Sequence, residues 1–277
     1  MQIPKSAIAV AAAGTVAATA VFARRERAGR LSAERFAAAA LEALLKAIDA
    51  NDAQTGAHVR RVANYALVLA DAAGLDEHES RSVERVALFH DIGKIHEALF
   101  DIIHDHRELT HAERRAILTH PQRGADVLAP LNSFYPELAR GVLHHHERWN
   151  GTGYPRQLKG KRIPLTSRIV AIADTFDAIT FHRRYRKGRS VEIARDIIVE
   201  ERETTFDPEL VDLFILPPVF ARLVQTEREV ATWKVPVHQR RTGLEEKNVP
   251  DISFRWRPGR HGGLGQPASD LPRKTAR

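Results

Sequence analysis

The chain's 277 residues suffice for one sizeable core with attachments, and 43% hydrophobic against 28% charged residues describe an ordinary globular protein. Cysteine is absent, which excludes disulfides and thiolate sites and leaves His, Asp and Glu as the ligands for any metal. The net charge of +7 is concentrated in Arg24–Arg30 and beyond residue 230, a distribution that suits a solubilising or membrane-surface feature better than a reader of a nucleic-acid polymer.

Residues Ala7 to Ala23 form an uncharged, Ala- and Val-rich run between Lys5 and Arg24, Arg25, Arg27 and Arg30. As a helix it would span roughly 26 Å, slightly short of a bilayer core. It predicts a single N-terminal membrane anchor over residues 1–30, with the arginines holding the rest of the chain in the cytoplasm. A cleaved signal peptide is the alternative, because Ala18 and Ala20 would suit a peptidase.

From Ser32 to Ala50, Leu41, Leu44, Leu45 and Ile48 share one helical face. The next helix begins near Thr55 and carries His58, Val62, Tyr65 and Leu69 on one stripe. Asp76 and Glu79 form a capping box for a helix running into His90-Asp91-Ile92-Gly93-Lys94. Thr110 and Glu113 repeat the signature before a helix ending at His120-Pro121. Further helices are predicted over Phe134–His146, over Thr166–Phe181, from Ser190, and from Asp207-Pro208 to about Leu216. Alternating strand patterns are scarce, so the fold class is all-α, with the folded domain over residues 31–216. Beyond Pro217-Pro218 the composition turns to Gly, Pro, Arg and Lys, and residues 217–277 read as a basic, poorly ordered tail.

The chemistry centres on residues 90–94. Val83, Val86, Ala87 and His90 share the apolar face of their helix, so its last turn delivers an imidazole and a carboxylate together. Gly93 would let the backbone leave the helix, and Lys94 adds a cation. Other ligand types recur on inward faces: His58 on its stripe, His120 at a helix end, and the triple His144-His145-His146, of which at most two can share a direction. Asp174 sits in the apolar run Ile169-Val170-Ala171-Ile172-Ala173, where an uncompensated carboxylate is costly and calls for a metal or a cation. So many ligands exceed what one ion uses and suit two divalent ions bridged by a carboxylate, with iron or manganese favoured over zinc by the nitrogen and oxygen donors.

The stretch His145-His146-Glu147-Arg148-Trp149-Asn150-Gly151-Thr152-Gly153-Tyr154-Pro155, after His90–Lys94, resembles the HD-GYP family of cyclic-dinucleotide phosphodiesterases. The resemblance runs from about Asp52 to Ile215. It includes Asp52-x-x-Thr55-Gly56-x-His58, Leu109-Thr110, His120-Pro121, Ile172-Ala173-Asp174-x-x-Asp177-Ala178, Arg183-x-Tyr185-Arg186 and Phe206-Asp207-Pro208. It implies an HD-type helical bundle with an added helical hairpin bearing the Gly-Tyr-Pro loop. It also implies metal-dependent hydrolysis of cyclic di-GMP to pGpG, which some members carry on to GMP. By the same resemblance, His58, His90, Asp91, His120, His145, His146 and Asp174 would bind metal, with Asp91 bridging. Lys94 would steady phosphate charge, and Arg183, Arg186 and Tyr154 would meet the substrate.

Three departures bear on function. Gln54 stands where members with a third metal carry glutamate, which predicts two ions. Residues His104-Asp105-His106-Arg107-Glu108 replace a usual Lys-Pro-Gly loop beside the substrate, and Asn150 stands where Asp is commoner. The altered loop keeps open an HD phosphohydrolase acting on another phosphate ester. A catalytically inactive module that keeps the fold, with or without its metals, and signals through a second copy or a partner protein is the remaining reading.

Overall fold

The computed structural model describes residues 5–95, 110–181 and 188–231. Every regular element among them is a helix: α1 (Lys5–Asn51), α2 (Ala53–Ala72), α3 (Glu77–Phe89), α4 (His111–Ile117), α5 (His120–Leu128), α6 (Pro136–His144), α7 (Leu165–Thr180), α8 (Val191–Glu200), α9 (Pro208–Phe214) and α10 (Pro217–Ala231). The predicted all-α class holds. Short 3-10 turns follow at Ile92–Ile95, Ala129–Leu131 and Gly160–Arg162.

Helix α1 joins the apolar run and the first amphipathic stretch in one element of 47 residues. Among the described residues no helix is long and apolar enough to cross a membrane. Its C-terminal half docks through Ala37, Leu41 and Ile48. It can lie close to α2 because Gly56 has no side chain: a Cβ there would fall 2.0 Å from Asp49 Oδ1. Arg60 then bridges back to Asp49 at 2.5 and 2.7 Å.

Helix α2 is the hub, packed against α1, α3, α7, α9 and α10. Its start is fixed by Asp52, whose carboxylate accepts the N–H groups of Gln54 and Thr55 at 3.0 and 3.1 Å. Val62, Tyr65, Ala66 and Leu69 are buried along its inward stripe. Tyr65 meets Phe176 of α7 edge-on at 5.0 Å, and Phe176 meets Phe214 of α9 at 5.8 Å, so one aromatic column ties three helices. The predicted capping boxes form at Asp76/Glu79 and at Thr110/Glu113.

Two boundaries differ from the sequence reading. His120 opens α5, with Pro121 in the first turn, rather than closing the preceding helix, which ends at Ile117. Proline lacks the N–H that a helix start leaves unpaired anyway, so it suits that position. Residues 217–231, assigned by composition to the tail, form α10 instead. Pro217 and Pro218 start it, Val219 and Leu223 are buried, and Arg222 pairs with Asp71 of α2 at 2.5 Å. The remainder of the expected tail, residues 232–277, lies outside the described residues. Helices α6 and α7 form the expected hairpin, and the segment between them carries the Gly-Tyr-Pro loop.

Candidate metal centre

Seven of the residues singled out in the sequence converge. Asp91, His120, His145 and His146 form one group and His58, His90 and Asp174 a second, with the ligand atoms of each group within 4.8 Å of one another. They arrive from helix ends and helix faces. His90 caps the C-terminus of α3, Asp91 follows it, His120 begins α5, and His145 caps α6. Leaving a helix there lets consecutive residues address one point. The 3-10 turn at Ile92–Ile95 presses onto α5, and a Cβ on Gly93 would lie 2.1 Å from His120 O and 2.7 Å from Gly124 N. Gly93 thus serves close approach of two backbones, not the helix exit that its position in the sequence suggests.

Asp91 stands between the two groups. Its Oδ1 faces His120 Nε2 at 3.3 Å and His145 Nε2 at 3.9 Å, and its Oδ2 faces His90 Nε2 at 3.5 Å and His58 Nε2 at 4.0 Å. Lys94 Nζ donates to Oδ2 at 2.7 Å. Asp174 Oδ1 completes the second group, 3.3 Å from His58 Nε2 and 3.9 Å from His90 Nε2.

The histidine tautomers follow from their other nitrogens. His90, His120 and His145 place Nδ1 against the carbonyls of Ala87, Ile117 and Val142 at 2.8, 2.7 and 2.7 Å, so Nδ1 carries the hydrogen and Nε2 a lone pair. Two such lone pairs, on His120 and His145, then face each other at 3.3 Å. His90 Nε2 and Asp91 Oδ1 are buried without a hydrogen-bond partner. Buried acceptors aimed at one another repel unless a cation lies between them. The residues therefore fit a metal ion in each group.

Protonation follows the same pattern. Burial pushes His90 down and His145 well below the usual imidazole range, and pushes His146 to about 3. These rings are neutral, the form that binds metal. Burial opposes the ionised form of Asp91, but Lys94 and the neighbouring histidines outweigh it and hold its carboxyl well below the usual range. His58 behaves differently. Burial opposes its charge, yet hydrogen bonds to Asp174 and Asp177 raise it to about 9.

Tyr154 stacks on His146 at 4.9 Å and 21°. Its loop is fastened by Glu147, a buried carboxylate that accepts the N–H groups of Arg156 and Leu158 at 2.7 and 3.0 Å. Gly153 is confined, since a Cβ there would sit 2.2 Å from Arg148 N. His144 stands apart from the cluster, with Nδ1 3.4 Å from Glu147 Oε1. Asp174 is less enclosed than its apolar run implies, keeping 25% of its side chain exposed. Arg183, Arg186 and the 104–108 loop lie outside the described residues. The sequence reading missed the work of Glu147, Asp177 and Arg61. The last two each follow a ligand by three residues, one helical turn, and that spacing was the available signal.

Comparison with known proteins supplies the context. The HD domain family matches residues 42–210. The chain is 37% identical over 177 residues to the cyclic di-GMP phosphodiesterase response regulator RpfG of Xanthomonas campestris, covering 63% of this chain and 46% of that protein. It is 36% identical over 174 residues to 3'3'-cGAMP-specific phosphodiesterase 2 of Vibrio cholerae, covering 62% of this chain and 33% of that protein. The chain thus spans about a third to a half of the length of these curated relatives. A solved V. cholerae phosphodiesterase specific for cyclic GMP-AMP aligns with a TM-score of 0.49 at 25% identity, covering 69% of this chain and 52% of that one. With residues 42–210 matched and the motif histidines and aspartates gathered in one cluster, the chain belongs to the HD-domain family.

Proposed function

We propose that this chain is a metal-dependent phosphodiesterase that opens cyclic di-GMP to linear pGpG. The observation that carries the reading is the split carboxylate of Asp91, with one oxygen turned to His120 and His145 and the other to His90 and His58. In this reading His58, His90 and Asp174 hold one ion, His120, His145 and His146 hold a second, and Asp91 bridges them. Nitrogen and oxygen donors without sulfur favour iron or manganese. Gln54 is an exposed neutral amide and offers no carboxylate for a third ion.

Two such ions would supply Lewis acidity and a hydroxide nucleophile at neutral pH. The chain's own residues do the remainder. Lys94, 29% exposed, turns its ammonium towards a non-bridging phosphate oxygen and balances the charge that develops there. Tyr154 walls the site beside His146, and the resemblance assigns Arg183 and Arg186 to the substrate's phosphates. One water is consumed, one phosphorus–oxygen bond breaks, and the 3′ hydroxyl leaves. Arg24, Arg25, Arg27 and Arg30 support a domain working at the cytoplasmic membrane surface.

A second reading, cyclic GMP-AMP as substrate, is favoured by the relative named for that activity. Purified full-length protein, analysed for bound metal and incubated with each cyclic dinucleotide, separates the two. The expected result is linear product from cyclic di-GMP, reduced at least ~1000-fold in Asp91→Ala, the scale of removing a group that acts on the transition state. Metal-loaded protein that linearises neither compound contradicts the reading.

A further inference from the structure

Four histidines of the centre have an Nδ1 partner, and one differs in kind. His90, His120 and His145 sit at helix ends and use a carbonyl three residues back. His58 is the sixth residue of α2, where backbone carbonyls already serve the helix. It reaches across to α7 instead, placing Nδ1 2.7 Å from Asp177 Oδ2. Asp174 and Asp177 lie one turn apart on α7, so a single helix grips both nitrogens of the ring, with Asp174 Oδ1 3.3 Å from Nε2.

Asp177 is itself clasped. Arg61 Nε donates to Oδ1 at 2.6 Å and Nη2 to Oδ2 at 3.0 Å, and the guanidinium lies 3.4 Å over the Phe181 ring. Arg61 is 4% exposed and Asp177 1%. Such a buried pair costs desolvation that its attraction rarely repays as stability, whereas a carboxylate on a ligand's far nitrogen fixes the ring and strengthens its donor atom.

We propose that Asp177, oriented by Arg61, is a positioning residue that aims His58 and sets the affinity of the metal position made by His58, His90 and Asp174. It leaves the position made by His120, His145 and His146 to its own ligands. Hydrogen bonding from Nδ1 to a carboxylate leaves Nε2 as the lone-pair nitrogen and turns it to the cluster, with more electron density than a carbonyl partner provides. The Arg61 fork fixes the plane of that carboxylate. The inference rests on the two-ion reading above.

The test is a manganese titration of metal-free full-length protein, followed by electron paramagnetic resonance and elemental analysis. Wild type is expected to bind two ions with the spectrum of a coupled pair. Asp177→Asn should keep one ion at wild-type affinity and bind the other ~10- to 100-fold more weakly. The coupled signal and the turnover should then return only at proportionately higher manganese. Arg61→Lys, which keeps the buried charge but loses the fork, should show the same split at smaller size and serves where Asp177→Asn does not fold. Two unchanged affinities with only a lower melting temperature, or equal weakening of both, overturn the proposal. Wild type that binds the pair without cleaving cyclic di-GMP defeats the functional reading and leaves the titration decisive. Wild type that binds no pair defeats both.

Discussion

At the scale of single residues, the centre is a set of acceptors that repel one another until cations arrive. His58 is the member that departs from this, because two carboxylates grip it and hold its proton to about 9. That proton must leave when an ion binds Nε2, while His90, His145 and His146 are already pushed below neutrality. Loading at pH 7 should therefore release about one proton from His58, read by calorimetry in buffers of differing ionisation heat. The sign also applies to the metal-free fold. A histidine raised above its unfolded value stabilises fully below about 6.5 and loses that contribution as pH rises through 9. The metal-free protein should melt earlier across that window and the loaded protein should not. No proton release, with a flat melting profile, contradicts this account of His58.

At the scale of elements, helix ends do what helix middles cannot. His90, His120 and His145 each sit where a helix starts or stops, and that is how neighbouring residues come to face one point. The cap signals at Asp76, Thr110 and Asp207 were legible in the sequence because each works within four residues, whereas the cap at Asp52 was not read and the start of α2 was placed near Thr55. Two readings went wrong where proline was involved: His120-Pro121 and Pro217-Pro218 looked like stops and proved to be starts. A proline forbids the helix interior but favours the first turn, so the residue alone does not say on which side the helix lies. Gly93 carries a related lesson, since its need is set by the α5 backbone 27 residues downstream. Gly93→Ala should force the 92–95 turn away from α5, cost about 1–3 kcal/mol of stability and lower metal occupancy. Thermal melting with metal analysis checks this, and wild-type values for both contradict it.

At the scale of the whole molecule, α2 holds the core and carries His58, and its neighbours deliver the other ligands. Ligand types on apolar faces were readable one by one, because a buried imidazole or carboxylate is conspicuous against a hydrophobic stripe. Their partition into two groups about Asp91 was not, because it depends on distances between residues up to 116 positions apart. The Arg61–Asp177 pair escaped for the same reason, since its two members lie 116 positions apart. The most direct test of the central claim is anomalous scattering from crystals of the manganese-loaded protein. Two peaks about 3.5–4 Å apart, one against each oxygen of Asp91, are predicted. A single peak, or a pair with no shared contact to Asp91, would contradict it.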